Sequence, residues 1–260
     1  MLGASSKPKP GGKPKNQLIK NDLGGPGRLV LSASLIFLAS QFVAGLLVGI
    51  GLGLVGTAAF EQAASAQFLY ILAAEAISVG SVLVIVKKRR LSLSAIGLGR
   101  RLYFSDIWRA AAALIVFWIF LILTFGLIKL LVPGLDTDQA QDIGFNNLTG
   151  PADLVLAFIA LVLLAPIGEE VLMRGYLFSG LRARLNFTTS LIITSLIFGL
   201  AHLQFGAGTA LVWVAAVHTF ILSGVLVYLR EKTGALHSSM ILHSLNNTVA
   251  FIAYFWNKLL

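Results

Sequence analysis

Cysteine is absent from all 260 residues. The chain therefore has no disulfides and no thiol nucleophile. Charge is scarce as well. Asp, Glu, Lys and Arg make up 12% of the residues, against about 25% in soluble domains, while 57% are hydrophobic and the mean hydropathy is +0.86. A soluble fold is excluded, and an all-α, polytopic transmembrane helix bundle is predicted. Apolar runs approaching or exceeding the roughly 20 residues a bilayer requires occur at residues 29–60, 64–86, 110–132, 151–168, 187–205, 209–229 and 235–256. They predict seven spans, with an eighth crossing or a re-entrant piece left open. The fourth run continues through Pro166 into a polar-tipped helix that reaches about Arg184.

Lys and Arg are missing from particular loops, and this matters more than the net charge of +9. None occurs in 133–150 or 204–208, whereas basic residues crowd the segment before the first run, the stretch from Lys87 to Arg109, the pair Arg182 and Arg184, and the pair Arg230 and Lys232. This alternation is the positive-inside pattern and places the N-terminus and every basic loop in the cytoplasm. It also removes nucleic acid as a partner, leaving the bilayer and a peptide or protein substrate. The expected location is integral to a membrane, the plasma membrane in a prokaryotic host. Residues 1–28 form a basic tail, Lys7 to Lys15 included, with no apolar material to bury; it is predicted to be disordered, to rest on anionic lipid and not to be a cleavable signal peptide. Residues 29–150 are predicted to be N-terminal transmembrane helices with a basic cytoplasmic loop, and residues 151–260 the part that carries the chemistry. Gly45, Gly49, Gly51, Gly53 and Gly56 make small-xxx-small spacings, read as packing within the bundle rather than as a homodimer face. No repeat of the hydropathy pattern supports an inverted-repeat transporter.

Ionised groups inside a membrane are costly and mark function by default. Glu169-Glu170-Val171-Leu172-Met173-Arg174 places three of them in one apolar segment. Glu170 and Arg174, four apart, share a helix face and can pair, which leaves Glu169 to face a wet cavity as the general base. His243 and Asn247 are again four apart, and His202 closes the run Phe198-Gly199-Leu200-Ala201-His202. Two histidines, an asparagine and the carboxylate pair in neighbouring apolar segments point to one shared site. His218, His237 and Glu75 lack partners by spacing and read as structural.

Glu169-Glu170-x-x-x-Arg174, Phe198-x-x-x-His202 and His243-x-x-x-Asn247 resemble the three motifs of the CAAX-processing and bacteriocin-processing intramembrane proteases, the CPBP or Abi family, which includes the type II CAAX prenyl endopeptidases. Ala165-Pro166-Ile167 and Arg174-Gly175-Tyr176-Leu177 are similar to the flanks of the first motif, and the resemblance runs from about residue 151 to 256. It implies a catalytic set of Glu169, His202, His243 and Asn247, supported by Glu170 and Arg174. Glu169 would activate water, and the histidines and Asn247 would position it, hold a metal or stabilise an oxyanion. Zinc or another divalent metal on His202, His243 and Glu169 stays open, since His-Glu-x-x-His is absent and Asn is a poor zinc ligand. The family is described both as metalloproteases and as glutamate-dependent proteases. The substrate would be a peptide or protein, prenylated or not according to the host. Two other readings are a non-proteolytic scaffold or bacteriocin-immunity protein of the same fold, and a proton-coupled transporter. Because Arg182 and Arg184 follow the Glu169 helix and Arg230 and Lys232 precede His243, the mouth of the site is expected at the cytoplasmic side. Counting about 1.5 Å per residue from there puts His202 deeper than His243, which requires a late start, a tilt or a break in one helix.

Overall fold

A computed structural model describes residues 23–55, 63–139, 141–205 and 211–259. The prediction for the basic tail falls on residues outside these, apart from the first turn of the first helix. Seven helices run through the described residues, and the all-α bundle expected from composition is what forms. They are α1 (Pro26–Val55), α2 (Ala64–Lys88), α3 (Phe104–Leu131), α4 (Pro151–Arg182), α5 (Phe187–Leu200), α6 (Val214–Thr233) and α7 (His237–Leu259). A 3₁₀ turn, Leu93–Ile96, lies between α2 and α3. A two-residue antiparallel pair, β1 (Gln204–Phe205) and β2 (Leu211–Val212), joins α5 to α6 with Gln204 opposite Val212.

Five helices, α1, α2, α3, α4 and α6, are long and apolar enough to cross a membrane. The other two expected spans differ for separate reasons. With 14 residues, α5 rises about 21 Å, short of the roughly 30 Å hydrocarbon core. The 23 residues of α7 are long enough, but His243, Asn246, Asn247 and several serines make it too polar.

Three apolar clusters hold the bundle, and each draws on helices from both halves of the chain. Leu29, Val82, Leu172, Leu177 and Phe198 join α1, α2, α4 and α5. Phe117, Leu222, Leu226 and Leu242 join α3, α6 and α7, while Phe145, Ala157, Val162 and Phe251 close the opposite end of α4 and α7.

The two ends of the bundle are built differently. At the basic end, Asp106 is fully buried and binds the Arg100 guanidinium through both oxygens at 2.6 and 2.7 Å. It also accepts from the Tyr103 amide at 2.9 Å and from Ser238 Oγ at 2.8 Å, fastening the 89–103 loop to α7. The bond to Asp106 raises the Arg100 pKa further above its ordinary value. Gly97 has φ +83, and a Cβ there would lie 2.8 Å from Arg230 Nε, so the close approach of that side chain requires glycine. At the other end the 132–150 loop is stitched to the strand pair. Asp142 N–H donates to Gln204 Oε1 and Gln204 Nε2 donates back to the Asp142 carbonyl, both at 3.0 Å. Gln139 Oε1 accepts from the Trp213 and Val214 amides at 2.9 and 3.3 Å, satisfying the free N–H groups that open α6.

Candidate active site

Glu169 and Glu170 lie midway along α4, between two stretches that widen from α to π geometry, Ile159–Leu164 and Val171–Phe178. Pro166 has no amide hydrogen to continue the α ladder, which accounts for the first widening. Such π turns recur at functional sites because they release backbone groups for other partners. Asn247 Nδ2 donates to the Leu161 carbonyl at 2.9 Å, tying α7 to the first π stretch. Ser179 Oγ donates to the Arg174 carbonyl at 3.0 Å in the second.

The predicted pair is present. Arg174 Nη1 donates to Glu170 Oε1 at 2.8 Å, with both side chains 0% exposed. The guanidinium carbon sits 4.4 Å over the Phe198 ring, so the cation is held between a carboxylate and an aromatic face. Glu170 Oε1 also bonds His243 Nδ1 at 3.2 Å. An ionised carboxylate only accepts, so Nδ1 carries the proton and Nε2 is turned toward Glu169. Nε2 lies 3.7 Å from Glu169 Oε2, beyond hydrogen-bond range. That oxygen is buried and accepts no hydrogen bond from the protein.

His202 is placed by the end of α5 rather than by its interior. The apolar run predicted a helix through residue 205, yet α5 stops at Leu200 and His202 occupies the following turn, its N–H bonded to the Gly199 carbonyl at 3.0 Å. Its Nδ1 bonds the Phe198 carbonyl at 2.8 Å, which makes Nδ1 the donor and leaves Nε2 as an acceptor. Phe198 presents its ring to both histidines, with centroids 4.7 Å from His202 and 5.8 Å from His243. Both histidines meet at the Phe198 ring, although α5 begins at Phe187 as expected.

A cavity of about 360 Å³ gathers Glu169, His202, His243 and Asn247, joined by His218 and Asn246. Glu170 and Arg174 lie beneath it, buried. Sequence reasoning passed over two neighbours. His218 lines the cavity from the first turns of α6 and packs edge-on against Phe117, centroids 5.1 Å apart. Glu75, on α2, lies where a Cβ on Gly168 would stand, so the glycine before the carboxylate pair admits a third carboxylate that interacts electrostatically with Glu169. The signal for both was the rarity of ionisable residues in apolar runs. Among the described residues no three His, Asp or Glu side chains are gathered closely enough to hold one metal ion. The trio His202, His243 and Glu169 makes no such shell.

The comparison with known families falls on the helices that carry this site, α4 to α7. Residues 151–249 match the family described as Type II CAAX prenyl endopeptidase Rce1-like. That segment is similar to the Rce1-like family. The match begins at the first residue of α4, ends two residues past Asn247, and includes all six candidate site residues. The match supports, in general terms, a CAAX-protease-like intramembrane endopeptidase. No curated protein and no solved structure matches the chain.

Proposed function

We propose that the chain is an intramembrane endopeptidase in which Glu169 activates water for attack on a peptide bond. The observation that carries this reading is the orphaned oxygen of Glu169. A buried acceptor without a partner needs an explanation, and Glu169 Oε2 and His243 Nε2, 3.7 Å apart, present two acceptors to the two hydrogens of one water. His202 Nε2 offers a third acceptor on the same cavity wall.

Glu169 takes a proton as the water oxygen bonds to the carbonyl carbon, and the carbonyl oxygen becomes an oxyanion. Asn247 has a second amide N–H beyond the one bonded to Leu161, and it serves as the oxyanion donor. His243, steadied by Glu170 at Nδ1, adds a second donor whenever Nε2 is protonated. Collapse of the intermediate breaks the C–N bond, and the proton held by Glu169 passes to the leaving amine. The N-terminus and basic loops lie in the cytoplasm on this reading, in keeping with the charge alternation.

The test is purified protein incubated with a proteome-derived peptide mixture, new termini being read by mass spectrometry. The wild-type chain should generate them, and Glu169→Gln should reduce their rate by about 10²- to 10⁴-fold, the usual contribution of a general base, without lowering the melting temperature. Undiminished cleavage by the variant would remove Glu169 from the mechanism.

A further inference from the structure

Asn246 is a buried amide that the attack on the peptide bond does not use. It is 3% exposed, lines the cavity from α7, and stands one turn after Leu242, a core residue of the cluster that joins α3, α6 and α7. An apolar side chain would continue that packing, whereas a buried amide costs stability unless hydrogen bonds compensate it. The compensation runs to the neighbouring side chain, Asn246 Nδ2 donating to Asn247 Oδ1 at 3.3 Å. Residues one apart on a helix point about 100° from each other and do not ordinarily meet, so helical spacing alone does not produce this contact.

Chemistry fixes which atoms face each other. The Leu161 carbonyl only accepts, so the Asn247 atom 2.9 Å from it is Nδ2, and the other end of that amide is Oδ1. An amide oxygen in turn accepts, so Asn246 must present its own Nδ2. Among the described residues no other group donates to Asn247 Oδ1. The Asn247 amide is therefore held at its nitrogen by α4 and at its oxygen by Asn246. A single bond leaves the amide plane room to swing about χ2, and bonds at both ends remove it. The remaining N–H then has one direction.

We propose that Asn246 is a positioning residue that acts through Asn247, aiming the free N–H of that amide before any substrate arrives. A donor fixed in advance stabilises developing charge without reorganising as the charge forms. Donation to Oδ1 also polarises the Asn247 amide and strengthens its N–H groups as donors. The orientation follows from the hydrogen bonds; that the aimed N–H serves an oxyanion rests on the protease reading.

Asn246→Leu keeps the approximate volume and removes the donor, and Asn246→Ala is the alternative should the leucine disturb folding. With a peptide that the wild-type protein cleaves, either variant should lower kcat about tenfold, roughly what one hydrogen bond contributes. KM should not change, because the oxyanion exists only beyond the ground state. Either change added to Asn247→Ala should cost no further activity, since the residue it acts through is gone. Undiminished kcat in the single variants, or losses that multiply in the double variant, would overturn the proposal. A second arm needs no cleavage. Nitrogen-15 relaxation of the asparagine side-chain amides, with the Asn247 pair assigned by its absence in Asn247→Ala, should give an order parameter near about 0.85 in the wild type and below about 0.6 in the Asn246 variants. An Asn247 amide as rigid in those variants as in the wild type would also overturn it. A wild-type protein that cleaves no peptide removes the protease reading instead, and the relaxation measurement still decides whether Asn246 holds Asn247.

Discussion

Arg174 shows how one side chain serves both fold and site. It neutralises Glu170, and Glu170 in turn fixes the ring of His243, so removing the cation leaves a buried carboxylate with only an imidazole to compensate it. Arg174→Ala should lower stability by about 3–5 kcal/mol, the usual result of breaking a buried pair from one side, seen as a fall in melting temperature. The double variant Glu170→Leu with Arg174→Met should recover much of that loss, because an apolar pair replaces an ionic one. It should stay inactive, since His243 Nδ1 then has no acceptor. Recovery of cleavage along with stability would show that Glu170 does not orient the histidine. Gly168 makes a second test. Gly168→Ala drives a methyl group into the Glu75 carboxylate and should destabilise by about 1–3 kcal/mol through overpacking. Glu75→Ala in the same chain should relieve most of that, and equal losses in the single and double variants would mean that the two do not touch. The Glu170–Arg174 pairing was legible because four residues is one helical turn. The Glu75–Gly168 contact was not, because it joins two helices distant in sequence and no local pattern encodes it.

At the level of elements, the π stretches of α4 explain what Asn247 does besides chemistry. Its amide binds the Leu161 carbonyl and so couples α7 to the widened turn that precedes the carboxylates. Asn247→Ala should cost about 1–3 kcal/mol for a buried acceptor left unsatisfied. It should also reduce kcat by roughly 10²–10³-fold, as loss of an oxyanion donor does. A loss of kcat no larger than the fraction unfolded would assign the residue to structure alone. Helix number and order could be read from hydropathy, because seven apolar runs yield seven helices. The length of α5 could not. Residues 201–205 are as apolar as the helix before them, apart from His202 and Gln204, and the stop comes from Gln204 pairing with Asp142 across the chain.

For the molecule as a whole, the site cavity and the basic end lie on either side of the buried Glu170–Arg174 pair. Buried Asp106, Ile96 and Leu236 fill the basic end, and Gln141 and Ile143 line the cavity. The central claim is that Glu169 delivers water to the scissile carbonyl. Its most direct test is cleavage of the proteome-derived peptide mixture in water enriched in oxygen-18, with the new C-termini weighed by mass spectrometry. The account predicts that wild-type protein places one heavy oxygen in each new carboxylate and that Glu169→Gln yields almost no labelled product. Labelled termini formed as fast by Glu169→Gln as by the wild type, or no new termini from the wild type at all, would contradict it.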